Sequence, residues 1–386
     1  MEAAQLRQLL SRYDDAPRAL VDAFNDDILP SAVDALNRTV SVRQISKLVT
    51  ERLPQNERNL TDARTRLGVL LEYALATVIN AEWQQKLGGE YALAFVVANR
   101  YPDLVSRDRS HRPGVRIEVK AIEAVSEEKS ANLDVLMRDT RNAGDILCVL
   151  VWEWRVVKEG DVVIEYPHIY KAFAFAARTI AKIRDTAWLR DMSRAKFKGI
   201  DVGGPVVGSQ DGVKEEEHNM GKLLRIGSED IFADTALAPY KDDSDVCRYR
   251  EFRQFTITLG IQTIASRAFT KFGMKLVQGN IDDFRFVFGD SILVAIGRNN
   301  GKTLAIFGGT SRGNKIEKAI EGALNKCGCD SAYVLVFGEK FTWFLSRYHD
   351  GKYEKLSDPD KKPARAMKEL GKHITPVREV PADTIG

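Results

Sequence analysis

Tyr101-Pro102-Asp103 is followed, after fourteen intervening residues, by Glu118-Val119-Lys120, which closes the alternating run Gly114-Val115-Arg116-Ile117-Glu118-Val119-Lys120. In a β-strand successive side chains point to opposite faces, so Val115, Ile117 and Val119 face one way and Arg116, Glu118 and Lys120 the other. Glu118 and Lys120 then stand about 7 Å apart on one face. A carboxylate and an ammonium held that close, with a second carboxylate from a neighbouring element, can hold a hard divalent cation and a water beside a phosphate.

Upstream, Thr61 or Asp62 can cap a helix that runs through Arg66-Leu-Gly-Val-Leu-Leu-Glu-Tyr-Ala-Leu-Ala-Thr-Val-Ile-Asn80 to about Trp83. Glu72 lies in its middle among Val69, Leu70, Leu71, Tyr73, Ala74 and Leu75. A carboxylate in so apolar a helix is costly unless it is paired, binds a metal or reaches solvent at the helix edge. Gly88-Gly89 ends the helix, and Tyr91–Ala98 is an apolar run of strand length. Downstream, a helix is expected over Ser130–Asn142, buried strands over Asp145–Trp152 and Ile169–Phe175, and a helix over Ala176–Arg190. Helices and strands in this order make an α/β domain.

Residues 1 to about 60 carry apolar residues at helical spacing (Leu6, Leu9, Leu10, then Leu20, Val21, Phe24) and read as an N-terminal helical arm. Residues 199 to 244 are rich in Gly, Asp and charge and hold a domain boundary. The expected division is therefore an arm at 1–60, a domain at 61–235 and a C-terminal α+β domain at 245–386. In the last, a helix around Gln262–Lys271 precedes strands at Phe284–Phe288, Ser291–Ile296 and Thr303–Phe307, then a helix at Lys315–Asn325 and strands at Ala332–Phe337 and Phe341–Phe344. Gly297-Arg-Asn-Asn-Gly301-Lys302-Thr303 has three residues between its glycines and joins strand to strand, so it is a β-hairpin turning at Asn300-Gly301 and not a phosphate-binding loop. No nucleotide cofactor is expected. The sequence shows no internal repeat.

With 44% apolar and 29% charged residues in 386, the composition is that of a soluble globular chain of two or three domains. No apolar run is long enough to span a bilayer and the first residues are not of signal-peptide type, so a cytoplasmic protein without a membrane partner is expected. Cys148, Cys247, Cys327 and Cys329 are too few for a disulfide framework, and Cys327-Gly328-Cys329 lacks further ligands at zinc spacing. A net charge of +3 proves no polyanion partner, so basic stripes have to be sought residue by residue.

The helix with Glu72, the strand, Pro102-Asp103, the strand with Glu118-Val119-Lys120, the next helix and the apolar strand 145–152 together resemble the PD-(D/E)XK nuclease superfamily, and within it the type II restriction endonucleases. The resemblance covers roughly residues 61–190 and does not extend to 245–386. It implies a restriction-endonuclease-like core, a central mixed sheet flanked by helices. It further implies Mg²⁺ held by Asp103, Glu118 and the Val119 carbonyl, with Lys120 orienting water or stabilising the transition state and Glu72 as an additional acid near the metal.

Basic residues that could contact the phosphates of double-stranded DNA are Arg107, Arg109, Arg112 and Arg116 near the acids and Arg138 and Arg141 on the expected next helix. The C-terminal domain adds Arg267, Lys271, Lys275, Arg298, Lys302, Arg312 and Lys315 for DNA recognition, assembly or both. The expectation is a Mg²⁺-dependent, sequence-specific endodeoxyribonuclease cutting both strands, working as a homodimer because such targets are two-fold symmetric. Two alternatives stay open: a modification-dependent or repair nuclease of the same fold, and a non-catalytic DNA-binding protein whose acids are structural.

Overall fold

The computed structural model describes residues 1–38, 60–96, 101–124, 140, 143–159, 162–180, 196–197, 200–201, 238–285, 291–309, 314–338, 342–360 and 363–377. The chain is α/β and divides into two compact units, the first essentially residues 1–252 and the second Arg253–Gly386. The boundary falls inside a helix, Ser244–Phe272, and not in the glycine-rich stretch where the composition places it.

In the first unit, helices α1 (Ala3–Ser11), α2 (Pro17–Ala23) and α3 (Leu29–Arg38) precede α4 (Leu60–Leu87). In α4, Leu67, Leu71, Ala74, Leu75, Ile79, Trp83 and Leu87 recur every three or four residues and are all buried. Gly88 and Gly89, both at positive φ, end it. A five-stranded mixed sheet follows in the order β1 (Tyr91–Phe95), β2 (Leu104–Asp108), β3 (Pro113–Glu123), β4 (Ile146–Glu159), β5 (Val162–Ala176). Neighbours are antiparallel except β3 and β4, which are parallel. β2 was not expected from the sequence, and β4 and β5 are longer than expected. Of the helix expected over 176–190, residues 177–180 are helical, and the one expected over 130–142 lies almost wholly outside the described residues.

Residues 1–38 are not a separate arm. Leu6, Leu10, Leu20, Phe24, Leu29 and Leu36 share one core with Leu71 and Ile79 of α4 and with Val115, Ile117, Val119, Ile146, Cys148, Leu150 and Ile169 of the sheet. The opposite face of the sheet carries Arg116, Glu118 and Lys120 and, through the pairs Lys120↔Val149 and Val149↔Phe173, the aromatic residues Phe173 and Phe175. These pack on Tyr249 and Phe252, at 5.2 Å for Phe175–Tyr249 and 5.4 Å for Phe173–Phe252.

Three asparagines close the edges of this sheet. An edge strand presents unpaired N–H and C=O groups. Asn80 on α4 donates to the Leu93 carbonyl and accepts from the Leu93 N–H on β1. On β5, Asn25 makes the same two-way bond with Ala174, and Asn37 of α3 with Ile169. Replacing Asn37 with alanine leaves both backbone groups of buried Ile169 without these partners and is expected to lower unfolding free energy by roughly 1–3 kcal/mol in chemical denaturation. An unchanged midpoint would remove the edge-closing role.

A small ribbon of β6 (Lys196–Phe197) and β7 (Ile200–Asp201) completes the described strands of the first unit. The second unit takes the helix α5 (Ser244–Phe272) from Arg253 onward, and a six-stranded sheet whose order is β13-β12-β11-β10-β9-β8. Its strands are β8 (Lys275–Gly279), β9 (Ser291–Asn299), β10 (Lys302–Gly309), β11 (Ser331–Gly338), β12 (Thr342–His349) and β13 (Lys352–Lys355), with α6 (Asn314–Lys326) and α7 (Pro363–His373). The β9–β10 hairpin turns at Asn300 and Gly301, both at positive φ, as their sequence requires. A second such turn at Asp350-Gly351 adds β13, which the sequence reading missed. The strand expected at 284–288 is not seen at Phe284 and Arg285, and its remainder lies outside the described residues.

The two sheets follow one plan that no sequence repeat announces. Each begins after a long helix, runs three antiparallel strands, adds a parallel strand beside the third, and continues antiparallel. In the second unit the parallel crossover is α6. Leu304 and Ile306 of β10 face α5 and α7, while Ala305 and Phe307 face α6.

Candidate active site

The register of β2 on β3 pairs Leu104 with Ile117, which sets Asp103, the residue before β2, across from Glu118. Asp103 Oδ2 accepts a 2.7 Å bond from the Val119 N–H, and its carbonyl accepts one from Val96 N–H. An extended residue turns its N–H and C=O toward the same edge, so the Val119 carbonyl also points toward Asp103. Glu118 is buried, and its Oε1 accepts a 2.6 Å bond from Lys120 Nζ. Its Oε2 is buried and meets no hydrogen-bond partner within bonding geometry among the described residues. Glu72 of α4, half-buried, feels the charges of Asp103, Lys120 and Glu118. Asp103, Glu118 and Lys120 therefore meet at one end of the β2–β3 pair, and Glu72 lies near enough to sense their charges.

Their electrostatics follow from burial. Burial and the Asp103 charge push the Glu72 carboxyl up to about 7, with Lys120 opposing and Glu118 adding to the rise. Asp103 is raised by burial, against Lys120 and the Val119 N–H. Glu118 is raised by burial, with Lys120 opposing and Asp103 reinforcing. Lys120 is raised, because Glu118, Asp103 and Glu72 outweigh its burial. Three carboxylates face one ammonium, so full ionisation leaves two uncompensated negative charges in a poorly solvated place.

An acid whose folded value is raised binds more protons folded than unfolded, so stability falls as pH rises through that interval. Metal-free protein is thus expected to lose melting temperature between pH of about 4.5 and about 7, the window of Glu72. Asp103 and Glu118 act in the same direction, and Lys120, charged throughout this range, adds no slope. Glu72→Gln should flatten the melting profile across that window; an unaltered slope would show that Glu72 does not sense the other acids.

Hard oxygen donors with one unpaired buried carboxylate oxygen fit Mg²⁺, which keeps several waters and needs few protein ligands. Asp103, Glu118 and the Val119 carbonyl are the groups that would hold it. Among the described residues no three His, Cys, Asp or Glu side chains converge as a ready-made metal site, so this set relies on main chain and water.

The basic residues are placed differently. Arg116 lies on the site face but is bound to Asp145, which is fully buried, through Nε at 2.9 Å and a second contact from Nη2. Its guanidinium also lies over the Tyr101 ring at 5.0 Å. It is a structural ion pair beside the Tyr101-Pro102-Asp103 segment rather than a free phosphate contact. Arg107, Arg109 and Arg112 sit on the β2–β3 hairpin end, away from Asp103, bonded to the His111 carbonyl, the Gly88 carbonyl and Asp108. Lys271 and Lys302 lie over the rings of Phe272 and Tyr333, Lys275 is exposed on β8, and Arg267 is half-buried on α5. Arg298 is bonded to Cys329 Sγ. Arg138, Arg141 and Arg312 lie outside the described residues, as does the Lys315 side chain. Asp145 was missed in the sequence; a charged residue opening an apolar strand signals a buried partner.

No family model matches the chain, and no curated protein matches it. No helix among the described residues is long and apolar enough to cross a membrane.

Proposed function

We propose that the chain is a Mg²⁺-dependent endodeoxyribonuclease of the PD-(D/E)XK type, of the type II restriction class, hydrolysing both strands of duplex DNA at a specific sequence as a homodimer. The observation that carries this reading is that Asp103, Glu118 and Lys120 stand together at one end of the β2–β3 pair, with Glu72 of α4 near enough to sense their charges. The order α4, β1–β3 meander and parallel β4 supports a restriction-endonuclease-like core.

Mg²⁺ bound there supplies Lewis-acid stabilisation of the charge developing on phosphate and acidifies water. The chain's own groups do the rest. Asp103 and Glu118 would hold the cation, Asp103 being oriented by the Val119 N–H. Lys120 Nζ orients the attacking water and offsets charge on the phosphate oxygens. The Glu72 carboxyl, which titrates near neutrality, can hold a proton at the edge of the site.

Incubation of a sequenced plasmid with the protein and Mg²⁺, followed by end mapping, should give discrete ends, and EDTA should prevent them. Comparison of methylated with unmethylated DNA separates the modification-dependent alternative. The Glu118–Lys120 ion pair favours a rival, structural reading, in which the protein binds DNA in a salt-dependent way without cutting it. Absence of Mg²⁺-dependent ends on any duplex would select that reading.

A further inference from the structure

Cys327-Gly328-Cys329 lies at the C-terminal cap of α6. Cys329 N–H bonds to the Leu324 carbonyl and Gly328 N–H to the Asn325 carbonyl, with Gly328 at φ 61°. This is a Schellman cap, which folds the chain back at the glycine and brings the flanking residues onto one side. Cys327 is half-exposed and its Sγ donates to Gln278 Oε1 at 2.6 Å. Cys329 is buried, and its Sγ receives Arg298 Nη2 at 2.7 Å, with Thr303 Oγ1 at 3.9 Å. Cys329 Sγ also donates to the Cys327 carbonyl at 3.5 Å, and Arg298 Nη2 reaches the same carbonyl at 3.4 Å. Two thiols one residue apart, one reachable and the other against a guanidinium, form a built site that the proposed nuclease chemistry does not use.

We propose that Cys327 and Cys329 are a redox-active dithiol that closes to an intramolecular disulfide by exchange with a small-molecule disulfide such as glutathione disulfide. The Cys327 thiolate, formed by proton loss to solvent, attacks one sulfur of the oxidant; a Cys327–glutathione bond forms and the first glutathione leaves as thiolate. Cys329, its sulfur held against Arg298 Nη2, loses its proton to solvent as it attacks the Cys327 sulfur; the Cys327–Cys329 bond forms and the second glutathione leaves as thiolate. Two protein thiols are oxidised, one disulfide is reduced, and the released thiolates take up the two protons. Burial and the neighbouring Cys329 push the Cys327 thiol up, Arg298 opposing, so the reaction quickens as pH rises.

The test uses the full chain carrying Cys247→Ser, which removes the exposed thiol, and leaves Cys148 in its buried place. In glutathione redox buffers, native protein is expected to lose two titratable thiols and two hydrogens of mass, with peptide mapping linking 327 to 329. The ratio of oxidised to reduced protein should fall in inverse proportion to the square of reduced glutathione over its disulfide, as an intramolecular ring demands. Arg298→Ala should accumulate the Cys327–glutathione adduct, because the second attack slows. Thiols that persist, a stable glutathione adduct on Cys327 in the parent protein, or ring formation equally favourable in urea would each overturn the proposal.

Discussion

Asp103→Asn is expected to abolish Mg²⁺-dependent cleavage of plasmid DNA, by about 10³-fold or more, equivalent to about 4 kcal/mol of transition-state stabilisation. The same substitution should leave the melting temperature of metal-free protein unchanged or raise it. Asparagine keeps an oxygen to accept the Val119 N–H, and it removes one charge from a cluster in which three acids face Lys120. Lys120→Ala should also abolish cleavage, with the opposite effect on melting, since it removes the cation that binds buried Glu118. The contrast in sign separates a catalytic cluster from a structural one. Asp103→Asn protein that melts markedly lower yet cuts at the wild-type rate would sink the nuclease reading.

Arg116→Ala is expected to destabilise the protein by about 3–5 kcal/mol, because the fully buried Asp145 loses its bidentate partner. Arg116→Lys should recover only part of this, since a lysine cannot present two parallel N–H groups. Adding Asp145→Ala to Arg116→Ala should restore some of the loss, because no lone buried charge is then left. Equilibrium denaturation of the wild type, Arg116→Ala, Asp145→Ala and the double variant gives the coupling energy. A loss under about 0.5 kcal/mol for Arg116→Ala, within the range of ordinary surface substitutions, would assign Arg116 to solvent or DNA instead.

The site was legible because it rests on local rules. Strand alternation puts Glu118 and Lys120 on one face whatever lies around them, and the helical run marks Glu72 as an unusual acid in apolar company. The Asn300-Gly301 hairpin was equally local, and Asp350-Gly351 carried the same signal and went unused. What could not be read depends on partners distant in sequence. Arg116 looks like a phosphate contact until β4 lies beside β3 and brings Asp145 to it. Asn25, Asn37 and Asn80 look like ordinary helix residues until a strand edge reaches them. The helices of residues 1–38 look like an arm because amphipathic periodicity says that a face is buried, not against what. β2 is short and half polar, so its pattern is masked by the basic residues that follow.

The shared plan of the two sheets bears on how many cuts one chain can make. On the face of β10 that corresponds to Glu118 and Lys120 of β3 stand Thr303, Ala305 and Phe307, and the strand contains no acid. This strand of the second core therefore offers no counterpart of the Glu118–Lys120 pair. A duplex presents two backbones of opposite polarity, so under the proposed nuclease reading one polypeptide would nick one of them per visit. Supercoiled plasmid should pass through a transient open-circular form at low protein concentration and go directly to linear once two copies act together. The ratio of those products, followed against protein concentration, counts the cutting heads.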